Sequence, residues 1–281
     1  MSIKEVEISK IHAFKNHPFK VIDDDRMQEL IKSISANGVL TPVLIRPDGD
    51  DKYEMVSGHR RMFAAEKAGL FTIPAEIKEM TDDEAIVKMV DANVQREEIL
   101  PSERAYSFKM KMDALSRQGS RKDLTCGTEF HKLEAEKEKT RNRIGKEAGI
   151  SGRMVQKYIK LADLAPEILQ LVDEKKIGIN MAVEISRFDK ELQKWLYEYR
   201  KENGFLKPYQ IEALKNSGNT DNITQRVMIH ILNDSLPENK ISGKVLLSEK
   251  KLDKYFPPHF SAKQREKVII GLLAKWHEEN K

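Results

Sequence analysis

The sequence has little sulfur chemistry to offer: one cysteine, Cys126, in 281 residues. A lone thiol closes no internal disulfide and builds no thiolate metal cluster within one chain, which fits a reducing, cytoplasmic setting. Long apolar runs are also missing. No stretch approaches about 18 consecutive apolar residues, and the first ten residues carry no apolar core behind basic ones, so neither export nor a membrane partner is expected. Glycine (14) and proline (10) are too few for a collagen-like chain, and 40% hydrophobic residues are too many for broad disorder. What is present is length enough for two or three globular domains, with 33% charged residues on their surfaces.

The net charge of +4 is unevenly spread. Residues 1–116 hold 17 basic and 21 acidic side chains, net −4, and residues 162–281 hold 20 and 18, net +2. Between them, residues 117–161 hold 12 basic and 6 acidic side chains, net +6. A basic middle block suits a polyanion, because Lys and Arg that neutralise phosphates release counterions. A solvated, charged linker would carry the same signature.

The first hundred residues alternate short strands with helices. Met27, Leu30, Ile31 and Ile34 recur at helical spacing over residues 25–36, and Asn37-Gly38 supplies the stop. Residues 43–46 and 53–56 flank the turn 47–51, a hairpin signal. A helix over 60–68 ending at Gly69, a strand over 73–77, and a helix over 82–94 opened by the capping box Thr81-Asp82-Asp83-Glu84 complete an α+β domain. Pro101 opens a helix expected to reach Arg117. Residues 120–139 are charged with little apolar periodicity, which reads as a mobile insertion or a poorly specified helix. From Thr140 onward the pattern is helical, with a short strand suggested at 244–247. Val268, Ile269, Leu272, Leu273 and Trp276 share one face of a terminal helix, a stripe for self-association or for packing on its own domain.

Inside the basic block, residues 141–161 have the spacing of a helix-turn-helix. Gly145 allows close approach of a second helix, Gly149 can take a positive φ, Ser151 can cap, and Ile144, Ala148, Ile150 and Val155 point inward. The candidate nucleic-acid contacts are Arg141 and Arg143 for phosphates, and Ser151, Gly152, Arg153, Gln156, Lys157 and Lys160 along the second helix. Arg and Gln at such positions can pair with guanine and adenine edges. A purely structural helical hairpin would share the glycine and capping pattern.

A second motif, Ser57-Gly58-His59-Arg60-Arg61, crowds arginines at the start of a helix, where the macrodipole disfavours cations. An anion held between the arginines and the free backbone N–H groups would account for this, with Gly58 permitting close approach. Two surface arginines without a ligand are the plain alternative. His12, His17 and His59 have no metal-ligand spacing and read as surface or packing residues.

Taken together, the ordered elements Asn16-His17-Pro18-Phe19, Asn37-Gly38-Val39-Leu40-Thr41-Pro42, Ser57-Gly58-His59-Arg60-Arg61, Asp91-Ala92-Asn93-Val94-Gln95-Arg96 and Leu100-Pro101-Ser102-Glu103, followed by the helix-turn-helix, resemble the ParB/RepB partition-protein family, in particular the type carried on plasmids and integrative conjugative elements. The resemblance spans roughly residues 5–185. It implies an N-terminal ParB-like, sulfiredoxin-like α+β nucleotide-binding domain over 1–100, an all-α DNA-binding domain over 101–200, and a mostly helical dimerisation region over 201–281. By the same resemblance the protein is a cytoplasmic homodimer on a specific double-stranded DNA site. CTP and Mg2+ are its cofactors, with Gly58, Arg60 and Arg61 at the triphosphate and Asn93 at the magnesium ion. Ser57 and His59 complete that turn, and a ParA-type ATPase is the implied partner.

This chain departs from the family pattern at His59 and Ala92, where glutamates are usual, and at Lys20-Val21-Ile22, where Gln-Pro-Arg is usual. These departures leave CTP hydrolysis open. They also keep a second reading alive: a helix-turn-helix transcription regulator of a mobile element that works without a nucleotide. Sulfiredoxin chemistry is not expected, because Gly58 stands where that enzyme has its catalytic cysteine.

Overall fold

The computed structural model describes residues 3–94, 96, 99–120, 129–218, 223–236, 252, 254–257 and 260–279. Contacts divide the chain into two compact units, Met1–Asn233 and Asp234–Lys281.

The first unit begins with a five-stranded sheet. Strands β1 (Ile3–Glu7), β2 (Ile11–Ala13), β3 (Val43–Pro47), β4 (Tyr53–Ser57) and β5 (Thr72–Ile77) lie in the order β1-β5-β3-β4-β2. The β1–β5 and β3–β4 pairs are antiparallel, and the β3–β5 and β2–β4 pairs are parallel. Alternation along β4 sends Met55 to one face and Val56 to the other, and both are fully buried. Helices α1 (Asp25–Asn37) and α2 (His59–Lys67) cover the Met55 face with Met27, Ile34, Ala64 and Ala65. Helix α3 (Asp82–Val94) covers the Val56 face with Ala85, Met89 and Val90. Each large side chain so buried contributes roughly 1.5–3 kcal/mol.

Local signals in the sequence place these helices. Asp24 caps α1, its carboxylate accepting from the Met27 N–H at 2.8 Å, and Gly38 ends it at φ 69°. At α3 the capping box is formed: Thr81 N–H donates to Glu84 Oε2 at 2.9 Å, and Glu84 N–H donates to Thr81 Oγ1 at 3.3 Å. Helix α2 starts at His59, one residue before the position expected.

The rest of the first unit is helical. Helices α4 (Pro101–Ser120), α5 (Glu129–Glu147), α6 (Gly152–Leu161), α7 (Pro166–Asp173), α8 (Ile179–Ile185), α9 (Lys190–Asn203), α10 (Pro208–Asn216) and α11 (Gln225–Asp234) share a core that includes Phe108, Ile144, Val155, Leu161, Ile168, Leu192 and Leu214. Helix α4 runs three residues past the expected end. Of the charged stretch 120–139, residues from Glu129 onward are helical, while 121–128, Cys126 among them, and the strand expected at 244–247 lie outside the described residues.

In the second unit, helix α12 (Ala262–Glu279) leaves Val268, Leu272, Leu273 and Trp276 exposed and Ile269 half-buried. Among the described residues, no helix is long and apolar enough to cross a membrane.

Candidate functional site

Strand β4 ends at Ser57, and the chain turns through Gly58 directly into α2. Gly58 has φ 113°, and a Cβ there would sit 2.6 Å from Val43 Cγ1 on the neighbouring strand. Only glycine therefore joins this strand to this helix. No side chain caps α2, so its first N–H groups remain open to a ligand.

Around that helix start lies a cavity of about 120 Å³ lined by His17, Phe19, Lys20, Val21, Ser57, Gly58, His59, Arg60, Arg61, Ala92, Asn93 and Arg96. The structure thus gathers all six nucleotide-site residues expected from the sequence, Ser57 to Arg61 and Asn93, in one place. None of the described lining residues is a carboxylate.

Not every arginine is free for a ligand. The Arg61 guanidinium donates from Nη1 to the carbonyls of Thr41 at 2.6 Å and Pro42 at 2.7 Å, which ties α2 to the loop before β3. Arg60 has only a long contact, 3.4 Å, to the Asp24 carboxylate. Burial lowers the proton affinity of both Arg61 and Arg96, and at Arg96 the charge of Arg60 adds to the effect. With no carboxylate among the described lining residues, and only Asp24 at 3.4 Å from Arg60 and Glu103 acting on Arg96 from outside the lining, the two guanidiniums create a field that a phosphate would relieve. Asn93 is buried, and its Nδ2 donates to Met89 O at 2.7 Å, which leaves Oδ1 as the acceptor of that side chain.

Two histidines complete the cavity. The rings of His17 and His59 stack with centroids 3.8 Å apart at 35°. His59 is 8% exposed, and burial first, then His17 and Arg96, pushes its pKa down to about 3. His17 is lowered by burial as well, and its Nδ1 donates to Phe19 O at 2.7 Å. The sequence places His59 among the nucleotide-site residues through its motif and reads His17 as a surface or packing residue. Their meeting, like the arrival of Lys20, Val21 and Arg96, unites segments remote in the chain. The only sequence signal was that the elements containing His17 and Arg96 belong to the ordered motif set.

A second group ties the sheet domain to the helices. The Glu103 carboxylate on α4 accepts from the Lys20 N–H at 2.8 Å and the Leu100 N–H at 3.1 Å. Lys111, on the same helix and 1% exposed, pairs with Asp91 on α3 and with Glu147 on α5. Arg117 near the end of α4 holds the buried Asp83 carboxylate at 2.6 Å.

Helices α5 and α6 are joined by a tight turn. Gly149 has φ 68°, and a Cβ on Gly145 would lie 2.6 Å from Ile150 O, so the two glycines permit the turn and the close approach. Ser151 caps α6, accepting from the Met154 N–H at 3.2 Å. Ile144 and Val155 are buried, and Ala148 and Ile150 pack against them. Arg153 and Gln156 are exposed side by side on α6, with Ser151 exposed and Gly152 half-buried at its start. Lys157 donates to Asn180 Oδ1 on α8 at 2.7 Å, and Lys160 and Arg141 are half-buried. Arg143 is exposed and pairs with Glu147 at 3.1 Å.

Residues 1–94 match the ParB N-terminal domain family. A probable chromosome-partitioning protein ParB of Pseudomonas putida is 36% identical over 107 residues, covering 38% of this chain and 37% of that protein, so the match spans little more than a third of that relative. The chromosome-partitioning protein Spo0J of Thermus thermophilus is 31% identical over 213 residues, covering 76% of this chain and 70% of the relative. A C-terminally truncated ParB from Caulobacter crescentus, solved in complex with the centromeric parS site, is 24% identical with a TM-score of 0.44, covering 76% of this chain and 100% of that one. An α+β domain with an arginine-lined cavity, continued by a helical layer, defines the class. Within it, this chain belongs to the ParB family of partition proteins.

Proposed function

We propose that the protein is a DNA-binding partition protein that recognises a centromere-like double-stranded site and uses CTP with Mg2+ as the switch of a DNA clamp, in the segregation of a plasmid or other mobile element. The observation that carries the nucleotide half is the cavity at the start of α2. It combines open helix amides, Arg60 and Arg96 with no carboxylate among its described lining residues. The triphosphate lies against Gly58 and Arg60, and the Asn93 amide oxygen is the protein ligand offered to Mg2+, a hard cation that also takes phosphate oxygens. Arg61 acts chiefly by fixing the loop at Thr41 and Pro42.

The DNA half rests on the α5–α6 pair. Arg153 and Gln156 read base edges in one major groove, Ser151 and Gly152 bring the start of α6 near the backbone, and Arg141, Arg143, Lys157 and Lys160 contact phosphates. A homodimer joined through the exposed stripe of α12 would present two such pairs to a palindromic site in the cytoplasm. A ParA-type ATPase is the partner that would move the assembly.

Equilibrium binding of labelled CTP with Mg2+, competed by ATP, GTP and UTP with and without DNA from the protein's own locus, tests this reading. CTP preference strengthened by that DNA is the expected result, with binding lost in Arg60→Ala. Retained CTP affinity in that variant removes the phosphate role of Arg60. No nucleotide binding under any condition leaves the nucleotide-independent regulator as the better reading.

A further inference from the structure

Glu147 stands where helix physics alone does not favour an acid. It lies in the last turn of α5, where the negative end of the macrodipole opposes a carboxylate, and it follows Arg143 by four residues, the weaker order for an ion pair along a helix. Burial also works against its charge, yet the hydrogen bonds of Lys111 and Arg143 outweigh burial and hold the carboxyl below its ordinary range. The two oxygens are divided between those partners. Oε2 accepts from Lys111 at 2.5 Å, and Oε1 accepts from Arg143 Nε at 3.1 Å. Lys111 is 1% exposed and is tied to Asp91 as well, so it anchors the carboxylate from the interior. Arg143 is 64% exposed and is held through Nε alone: among the described residues, its two Nη groups make no hydrogen bond. A guanidinium gripped at Nε still presents the N–H groups of its Nη edge to an incoming phosphate. Lys111 also offsets the charge of Glu147, which would otherwise repel that phosphate.

We infer that Glu147, anchored by Lys111, is a positioning residue for DNA: it holds the Arg143 guanidinium with its Nη edge turned to the phosphate backbone. This rests on the reading of α5 and α6 as the DNA-binding pair and deepens it by adding an acid to a surface otherwise assigned to basic and polar side chains. Fixing the fork in advance lessens the side-chain entropy lost on binding. The inference runs opposite to plain electrostatics. Removing an acid beside DNA should tighten binding by charge alone, whereas removing a positioning acid weakens it.

The test is a double-mutant cycle on the full chain, with Kd measured on a random-sequence duplex and on a duplex from the protein's own locus. Glu147→Ala is expected to weaken both duplexes about fivefold, the scale of ordering one rotamer-rich side chain at an interface, and to cause no weakening in the Arg143→Ala background. Lys111→Met, which releases Glu147 while keeping the space filled, is expected to weaken both about twofold, again only while Arg143 is present. Glu147→Gln keeps the size and one acceptor oxygen, and it is expected to fall between the wild type and Glu147→Ala; thermal unfolding checks that each variant is folded. Binding unchanged or tightened in both Glu147 variants overturns the inference. So does a loss of the same size with and without Arg143, because that marks a merely structural role. Weakening by Arg143→Ala with none from the Glu147 variants removes the positioning role and leaves the DNA reading standing. Arg143→Ala that binds both duplexes as the wild type does removes Arg143 as a phosphate contact, and the inference with it.

Discussion

The ammonium of Lys111 donates to the Glu147 carboxylate at 2.5 Å from a position 1% exposed to solvent. The same nitrogen pairs with Asp91, two residues before Asn93. One buried cation on α4 therefore joins α3, which enters the cavity, to α5, whose Glu147 also holds Arg143. A lysine survives burial only when its charge is matched, and here two carboxylates from different helices match it.

Lys111→Ala is expected to destabilise the first unit by about 2–3 kcal/mol, below the value typical of a fully buried pair because Asp91 and Glu147 remain 48% and 38% exposed and can be solvated. Lys111→Met, which refills the space with apolar atoms, should lose about half as much. Urea unfolding of the two variants checks the order, and an Ala variant as stable as the wild type would refute it.

Gly58→Ala forces a Cβ to 2.6 Å from Val43 in a left-handed backbone. The expected cost is about 2–4 kcal/mol, from the positive φ and the overpacking together. Thermal unfolding measures it, and the substitution at Gly49, which also has positive φ but meets nothing within 4 Å, serves as the control that isolates the backbone contribution.

On DNA, Arg153→Ala should cost about 1–3 kcal/mol on the specific site and little on random duplex. Arg143→Ala should weaken both equally and lower the slope of log K against log salt by about 1. Binding isotherms across a salt series separate the two, and equal losses on both DNAs for Arg153→Ala would remove it as a base reader.

The histidine pair makes a prediction about acid stability. In the unfolded chain His59 has its ordinary pKa near 6.5, whereas in the fold it is held near 3, so between these values the unfolded state binds more protons. Stability is therefore complete above about pH 6.5 and declines as pH falls toward 3. Burial of the ring sets this first, and the charges of His17 and Arg96 add to it. Glu84, through its hydrogen bonds to Thr81, and Glu147, through Lys111 and Arg143, are held below the ordinary carboxylate range, so the decline of Tm between pH 7 and 5 is assigned to His59 and His17. His59→Gln should flatten that part of the profile, and an unchanged slope would contradict the account.

Much of this was legible because the signals are local. Apolar runs around the 47–51 turn give β3 and β4, the Thr81–Glu84 box starts α3, and Gly145, Gly149 and Ser151 shape the helix pair. The turn at Ser57 to Arg61 betrayed itself by placing cations where the helix dipole resists them. Other features required the third dimension. The ordered motif set contains both His17 and His59 but does not stack one ring on the other, and Lys111 reads as an ordinary surface lysine until α3 and α5 close over it. Helix α5 was obscured because its residues 136–139 are exposed and charged, and among its described side chains the apolar pattern that a core imposes lies at the C-terminal end.

The carboxylate of Glu103 has a consequence for anyone who would divide this chain. It receives the backbone of Lys20 from the wall of the cavity and that of Leu100 from the approach to α4, so the natural seam does not run at Pro101. A fragment ending at residue 100 gives up the acceptor for both amides, and a chimera that exchanges the sheet domain must carry the first turn of α4 along with it. The cavity and the helical layer are in this sense one piece of architecture, jointed inside a helix rather than at a linker.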